Sequence, residues 1–359
     1  MPARDVAEPG PPSPLGGEGR GEARGVRGRT THAASRSRAA LLCGTLTTLA
    51  AVLGLAGAVE TVKPEWRDPE YGHRLKQLHA LRAANPGRPL VLAVGSSRTQ
   101  MGVSPAAMNR PDALVYNFGQ SGAGPLRVHL TVERLAAEGI VPDVLLVEFF
   151  PAAFAHDGPA EEQLKELTAR LSWADVRRLE PFTADAAVLR RRWAADRVNS
   201  WHSLRLVLMN HARPGWLPWR DRLTHQWDMM DPFGFTAYPH DEVSDAERDR
   251  GVKRVRDQYA GLMSDYKVGA MSDRIFRDLL EGCRERGVRV VMYRTPEGPS
   301  FRTLAAPAEP AVRAYLAGLG VPVVEPAGDY AETDFADGHH PLRPAAERFS
   351  RQLGAALNP

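Results

Sequence analysis

The stretch Leu90-Val91-Leu92-Ala93-Val94-Gly95-Ser96-Ser97 reads as a buried strand running into a tight turn that carries two serines. A serine hydroxyl becomes a nucleophile when a neighbouring base takes its proton and a third group orients the base. Both partners occur far downstream in Asp337-Gly338-His339-His340-Pro341, where an Asp and a His stand three residues apart. Ser97, His340 and Asp337 are therefore the candidate nucleophile, base and orienter, and the chain reads as an enzyme or the descendant of one. Blander roles are open to the same residues. Ser96, and also Ser97, can cap a helix, Asp337 can form an Asx-type turn, and Gly119, Gly122 and Gly124 can simply permit a tight strand-to-helix turn. His339 and His340 could be half of a metal site, but no HExxH or Cys cluster offers further ligands.

Positioning these groups requires a scaffold, and short apolar runs alternate with helical periodicity in the way of a parallel sheet wrapped by helices. Strands are predicted at 90–94, 113–116, 144–149, 288–293 and 321–324, and helices at 71–84, 125–138, 271–286, 310–319 and 344–357. Ligands of such sheets bind outside the carboxyl ends of the strands. The unusual residues fall there: Ser97 after the first strand, Asn117-Phe118-Gly119-Gln120-Ser121-Gly122 after the second, Glu148 to Pro151 at the third, and Asp337 and His340 after the last.

Composition bounds the rest. The 359 residues, 43% of them hydrophobic, can fill a substantial core. Residues 1–38 hold seven Arg against four acids, which accounts for the whole net charge of +3 and leaves no basic nucleic-acid face elsewhere. That segment, rich in Pro, Gly, Arg and Ser, is expected to be a disordered cytoplasmic tail. Residues 39–59 then run for 21 positions without a charge, about the length that crosses a hydrocarbon core. With Arg on its N-terminal side, the run reads as a single-pass anchor that leaves residues 60–359 extracytoplasmic, in the periplasm or at the cell surface. The alternative is a signal peptide cleaved near Ala56-Gly57-Ala58. Cys43 and Cys283 do not suggest a disulfide.

Residues 155–267 stand outside the alternating pattern and read as a mostly helical insertion, with helices at 161–171, 184–198 and 244–259 and an irregular stretch at 213–239. Six of the seven Trp (Trp173, Trp193, Trp201, Trp216, Trp219 and Trp227) lie in it. It is expected to sit beside the site as a cap. No phosphate loop or dinucleotide glycine pattern occurs anywhere.

The ordered blocks resemble the SGNH/GDSL hydrolase superfamily. Gly95-Ser96-Ser97 stands where that family has Gly-Asp-Ser, Asn117-x-Gly119-x-Ser121-Gly122 matches its second block, and Asp337-x-x-His340-Pro341 its last, over about 90–152 and 285–357. The resemblance implies a three-layer α/β/α, flavodoxin-like parallel sheet. In it Ser97 attacks an ester carbonyl, His340 is the base, Asp337 orients it, and the amides of Ser97 and Gly122 bind the oxyanion, with Asn117 and Arg98 among the substrate-binding residues. Such chemistry needs no cofactor or metal. Two departures stand out. Ser96 replaces the usual Asp, as in membrane-anchored branches that modify envelope polymers, such as the D-alanine transfer and alginate acetylation proteins. Glu148-Phe149-Phe150-Pro151 replaces the block Gly-x-Asn-Asp, so the family's oxyanion Asn is missing; Arg98 or Arg294 could substitute by position. The implied function is an acyl hydrolase or O-acyltransferase on an envelope glycan ester. The alternative is a catalytically silent member that binds glycan or an assembly partner.

Overall fold

Five short strands pair in parallel: β1 (Leu90–Val94), β2 (Leu114–Asn117), β3 (Val144–Glu148), β4 (Arg289–Tyr293) and β5 (Val323–Val324), in the order β2-β1-β3-β4-β5. The computed structural model describes residues 27–158, 160, 164, 167–218 and 229–357, with side chains from Ser35 onward. All five residues of β1 are buried, the signature of a parallel strand covered on both faces. Alternate side chains divide between two cores. Leu90, Leu92 and Val94 pack with Leu78, Val128, Val132, Phe276 and Val312 of four helices, while Val91 and Ala93 pack with Ala345, Phe349 and Leu353 of the helix Arg343–Ala356. The fold is thus α/β with helices on both sides of the sheet. β5 is shorter than expected because Pro322 has no N–H to give the ladder; its carbonyl accepts from Met292 N at 2.8 Å instead.

The strand order reverses between β1 and β3, and in doubly wound sheets ligands bind at that switch point. The residues following β1 and ending β3 are the two serines and Glu148.

The chain divides into two units, Met1–Ala51 and Val52–Pro359. A single helix runs Arg27–Val62, of which Ser35–Val62 is long and apolar enough to cross a membrane. The helix thus takes in residues 27–38 of the expected tail. The rest of the expected tail lies outside the described residues.

Within 155–267 the described helices are Trp173–Leu179, Ala186–Val198, Ser200–Ala212 and Asp245–Ser264. Much of the expected helix at 161–171, together with Trp219 and Trp227, lies outside the described residues. The segment is not one cap. Leu171, Val176, Leu179 and Leu189 share a core with Leu126 and Leu130 of the helix Pro125–Ala137, whereas Val255 and Met263 of Asp245–Ser264 join the main core.

Candidate active site

The turn that carries Ser97 is built on close packing. A Cβ at Gly95 would lie 2.0 Å from Thr99 Oγ1 and 2.5 Å from Glu148 Oε2, so only glycine fits as β1 ends. Ser96 caps the helix Ser97–Gly102, its hydroxyl accepting from Arg98 N at 3.1 Å. Ser97 opens that helix, and its Oγ lies 2.8 Å from His340 Nε2. On the other side of the helix the Asn117 amide donates to the carbonyls of Thr99 at 2.8 Å and Val103 at 2.6 Å, and its Oδ1 accepts from Gly119 N at 2.8 Å. Carbonyls at a helix C-terminus lack intrahelical partners, and Asn117 supplies one. It is fully buried, so the resemblance-based role in substrate binding is corrected to that of a clamp on the helix Ser97–Gly102.

The loop after β2 is laced to the same turn by Gln120 N to Gly95 O at 2.9 Å and by Ser121 Oγ to Gln100 Oε1 at 3.1 Å. Gly122, the implied oxyanion donor, sits in this loop at φ +67 with open space where a Cβ would project, a left-handed conformation that favours glycine.

His340 arrives on a closed loop. Phe335 bridges Pro341 antiparallel, and Ala336 N donates to His340 O at 3.0 Å. Within it Asp337 Oδ1 accepts from His340 N at 2.9 Å, while Asp337 Oδ2 meets His340 Nδ1 at 2.8 Å. The turn-forming and orienting roles of Asp337 therefore coexist. With Asp337 accepting, His340 Nδ1 carries a proton, so Nε2 is the ring nitrogen that faces Ser97 Oγ. Burial by itself would push the Asp337 carboxyl up, but the hydrogen bonds and charge of His340 outweigh it and hold the group below the usual carboxylate range. The side chains of His340 and Asp337 keep 19% and 18% exposure, so the triad is open to solvent.

Residues that sequence reasoning missed support this loop. A Cβ at Gly251 would sit 2.6 Å from Asp337 Cβ, so the insertion helix Asp245–Ser264 backs the triad directly. Arg248 Nε from the same helix donates to Phe335 O at 3.1 Å. His339, read from sequence only as half of a possible metal site, is buried in an aromatic box: its ring centroid lies 5.3 Å from Phe301, 5.7 Å from Tyr259, 6.2 Å from Phe150 and 4.0 Å from His340. Burial, helped by the nearby His340 and Arg98 charges and opposed by Asp337, drives its pKa well below the ordinary histidine value, so the ring is neutral. A glycine in mid-helix costs about 1 kcal/mol relative to alanine, but the helix of Gly251 also holds Gly261 with open space around it, so a glycine there does not by itself report the contact.

Glu148, at the position of the missing Asn block, faces inward. Its Oε2 accepts from Ser96 N at 2.7 Å, Ser96 Oγ at 2.8 Å and Thr99 Oγ1 at 2.8 Å, and its Oε1 lies 3.6 Å from Arg98 Nε. Arg98 is only 1% exposed. It also pairs with Glu297 at 2.9 Å, donates to Thr295 O at 3.2 Å, and lies over the Phe150 ring at 4.5 Å. A buried guanidinium is tolerable only when so partnered, and Arg98 is corrected from substrate contact to internal brace. Arg294 is likewise taken up by Glu309 at 2.8 Å and Glu325 at 3.6 Å. A cleft of about 700 Å³ opens there, lined by Arg294, Glu309, Glu325 and Tyr330 but by no triad residue.

Ligand-capable atoms of Asp337, His339 and His340 lie within 4.8 Å of one another, but both ring nitrogens of His340 are already engaged by Ser97 and Asp337. No protein-family model matches the chain, and no curated protein matches it either.

Proposed function

We propose that the folded domain is a serine-dependent acyl hydrolase or O-acyltransferase of the SGNH type, acting on an ester of an envelope carbohydrate. The observation that carries this reading is the unbroken relay from Asp337 through His340 to Ser97, with both links at 2.8 Å. Ser97 Oγ attacks the ester carbonyl while His340 Nε2 takes its proton. His340 then returns that proton to the departing alkoxide, leaving an acyl group on Ser97. Water or a sugar hydroxyl, deprotonated in turn by His340, resolves the acyl-enzyme. Asp337 holds the imidazole in the working tautomer and stabilises the imidazolium. The resemblance supplies the oxyanion donors, the amides of Ser97 and Gly122.

The carbohydrate ester is supported by the apolar helix of membrane-spanning length and by Ser96, the variant residue of envelope-modifying branches. A second reading, a silent member that binds glycan or an assembly partner, is favoured by Phe150, a buried apolar ring where the family has its Asn donor. Losing one oxyanion donor costs about a hundred- to a thousandfold in turnover. The test loads the protein with an acetyl donor, offers oligosaccharides alongside water, and measures acetylated sugar against free acetate. Acetylated sugar identifies a transferase and acetate alone a hydrolase. No turnover, with the triad intact, leaves the silent reading.

A further inference from the structure

The end of the long N-terminal helix belongs to the folded unit. Ala56 and Val59 are buried at 8% and 4% exposure. Ser200 Oγ donates to Val52 O at 2.9 Å, and Glu60 pairs with Arg67 and, at 3.1 Å, with Arg197. Trp66 stacks on His211 with centroids 4.5 Å apart. The helix Ser200–Ala212 is thus bound alongside the last turns of the apolar segment.

Depth follows from helix geometry. Val52 precedes Val59, the last residue of the uncharged run, by seven positions, which is about 10 Å at 1.5 Å per residue. The run as a whole is only about long enough to span the roughly 30 Å hydrocarbon core. If it spans, Ser200 lies level with a residue well inside the boundary.

What the insertion presents there suits that position. Trp201 is 54% exposed, Leu206 41%, Val198 54% and Trp216 75%. Residues 200–216 hold two Arg, Arg205 and Arg213, and no acid. Exposed Trp with Leu and Arg, and no carboxylate, is the composition of a segment lying at the headgroup boundary.

We propose that Ser200–Ala212 and the following turn Pro214–Trp216 form a membrane foot. Trp201, Leu206 and Trp216 enter the interfacial region of the leaflet on which the domain lies, beside the anchor. The inference rests on residues 39–59 being an uncleaved anchor, and it is independent of the acyl chemistry. The foot fixes the height and tilt of the domain, and with it the distance of the triad from the lipid surface.

The test reconstitutes the full chain in phosphatidylethanolamine/phosphatidylglycerol vesicles with brominated acyl chains and measures quenching of tryptophan fluorescence. The double variant W201F/W216F is expected to lose the larger part of the quenching. W193F, whose indole donates to Leu171 O inside the fold, is expected to leave it unchanged. Equal quenching in wild type and the double variant overturns the foot. A nitroxide on Leu206→Cys, in a Cys43→Ser background, gives a single-site check: greater accessibility to oxygen than to a soluble nickel chelate supports the foot, and the reverse overturns it. A chain that never associates with vesicles overturns the anchor itself, and the foot with it, whatever its esterase activity.

Discussion

The Glu148 carboxylate, at the end of β3, accepts from both the backbone N–H and the hydroxyl of Ser96, at 2.7 and 2.8 Å. The turn before Ser97 is therefore held by a carboxylate from the neighbouring strand, where the resembling family carries its Asp within the turn. The same group takes the Thr99 hydroxyl and faces Arg98. One residue thus links the helix Ser97–Gly102 to β3.

Removing it should be costly. Glu148→Ala leaves Arg98 buried with one carboxylate fewer, and breaking a buried pair by deleting one partner typically costs about 3–5 kcal/mol. Urea denaturation should show a loss of that order, with Glu148→Gln losing less because it keeps one acceptor oxygen. A loss below about 1 kcal/mol, the worth of an exposed pair, would mean that Glu148 is not the brace described.

Within the loop that carries the base, effects should follow contacts and not sequence adjacency. His340→Ala should lower turnover nearly as much as Ser97→Ala, and Asp337→Ala about a hundredfold less, because nucleophile and base act as a unit while the orienter is partly dispensable. His339→Ala empties an aromatic box against the His340 ring. Thermal unfolding should reveal a loss of about 2 kcal/mol or more, with a smaller kinetic defect than His340→Ala. If His339→Ala is as dead as His340→Ala while fully folded, the base has been assigned to the wrong histidine.

Stability should also depend on pH in a defined sense. Burial holds the folded-state pKa of His339 below its unfolded value, and that of His129 as well. As pH falls below about 6.5, the unfolded chain takes up protons that the native state refuses, so stability drops by up to about 1.4 kcal/mol per pH unit for each such residue. Above that pH neither contributes. Asp337 acts in a lower window: held below its unfolded value, its contribution is intact above about pH 4 and is lost as pH falls further. Melting temperatures between pH 7.5 and 5 should decline less steeply in His339→Asn than in wild type. Parallel declines would contradict the buried neutral ring.

The sheet was legible because buried parallel strands are short apolar runs and each lies where one was read. The types and spacing of Ser97, Asp337 and His340 were legible too, and the fold brings them within hydrogen-bonding distance. Asn117 and Arg98 were misread for one physical reason: a polar side chain after a strand looks the same in sequence whether it meets solvent or is tied inward. The carboxylate that neutralises Arg98 from Glu297 lies 199 residues away, and no local pattern reports it. Gly251 and Tyr259 belong to a helix read as part of a separate insertion, so their packing against Asp337 and His339 was invisible until the helix was placed.

The claim on which the account depends is that Ser97 is an activated nucleophile, and a fluorophosphonate probe on the detergent-solubilised full chain tests it most directly. Mass spectrometry of the digested adduct should place the phosphonyl group on Ser97. Labelling should vanish in Ser97→Ala and His340→Ala, and persist in Ser96→Ala, where only a cap and one Glu148 contact are lost. Labelling of Ser96 with Ser97 untouched, or undiminished labelling in Ser97→Ala, would contradict the account.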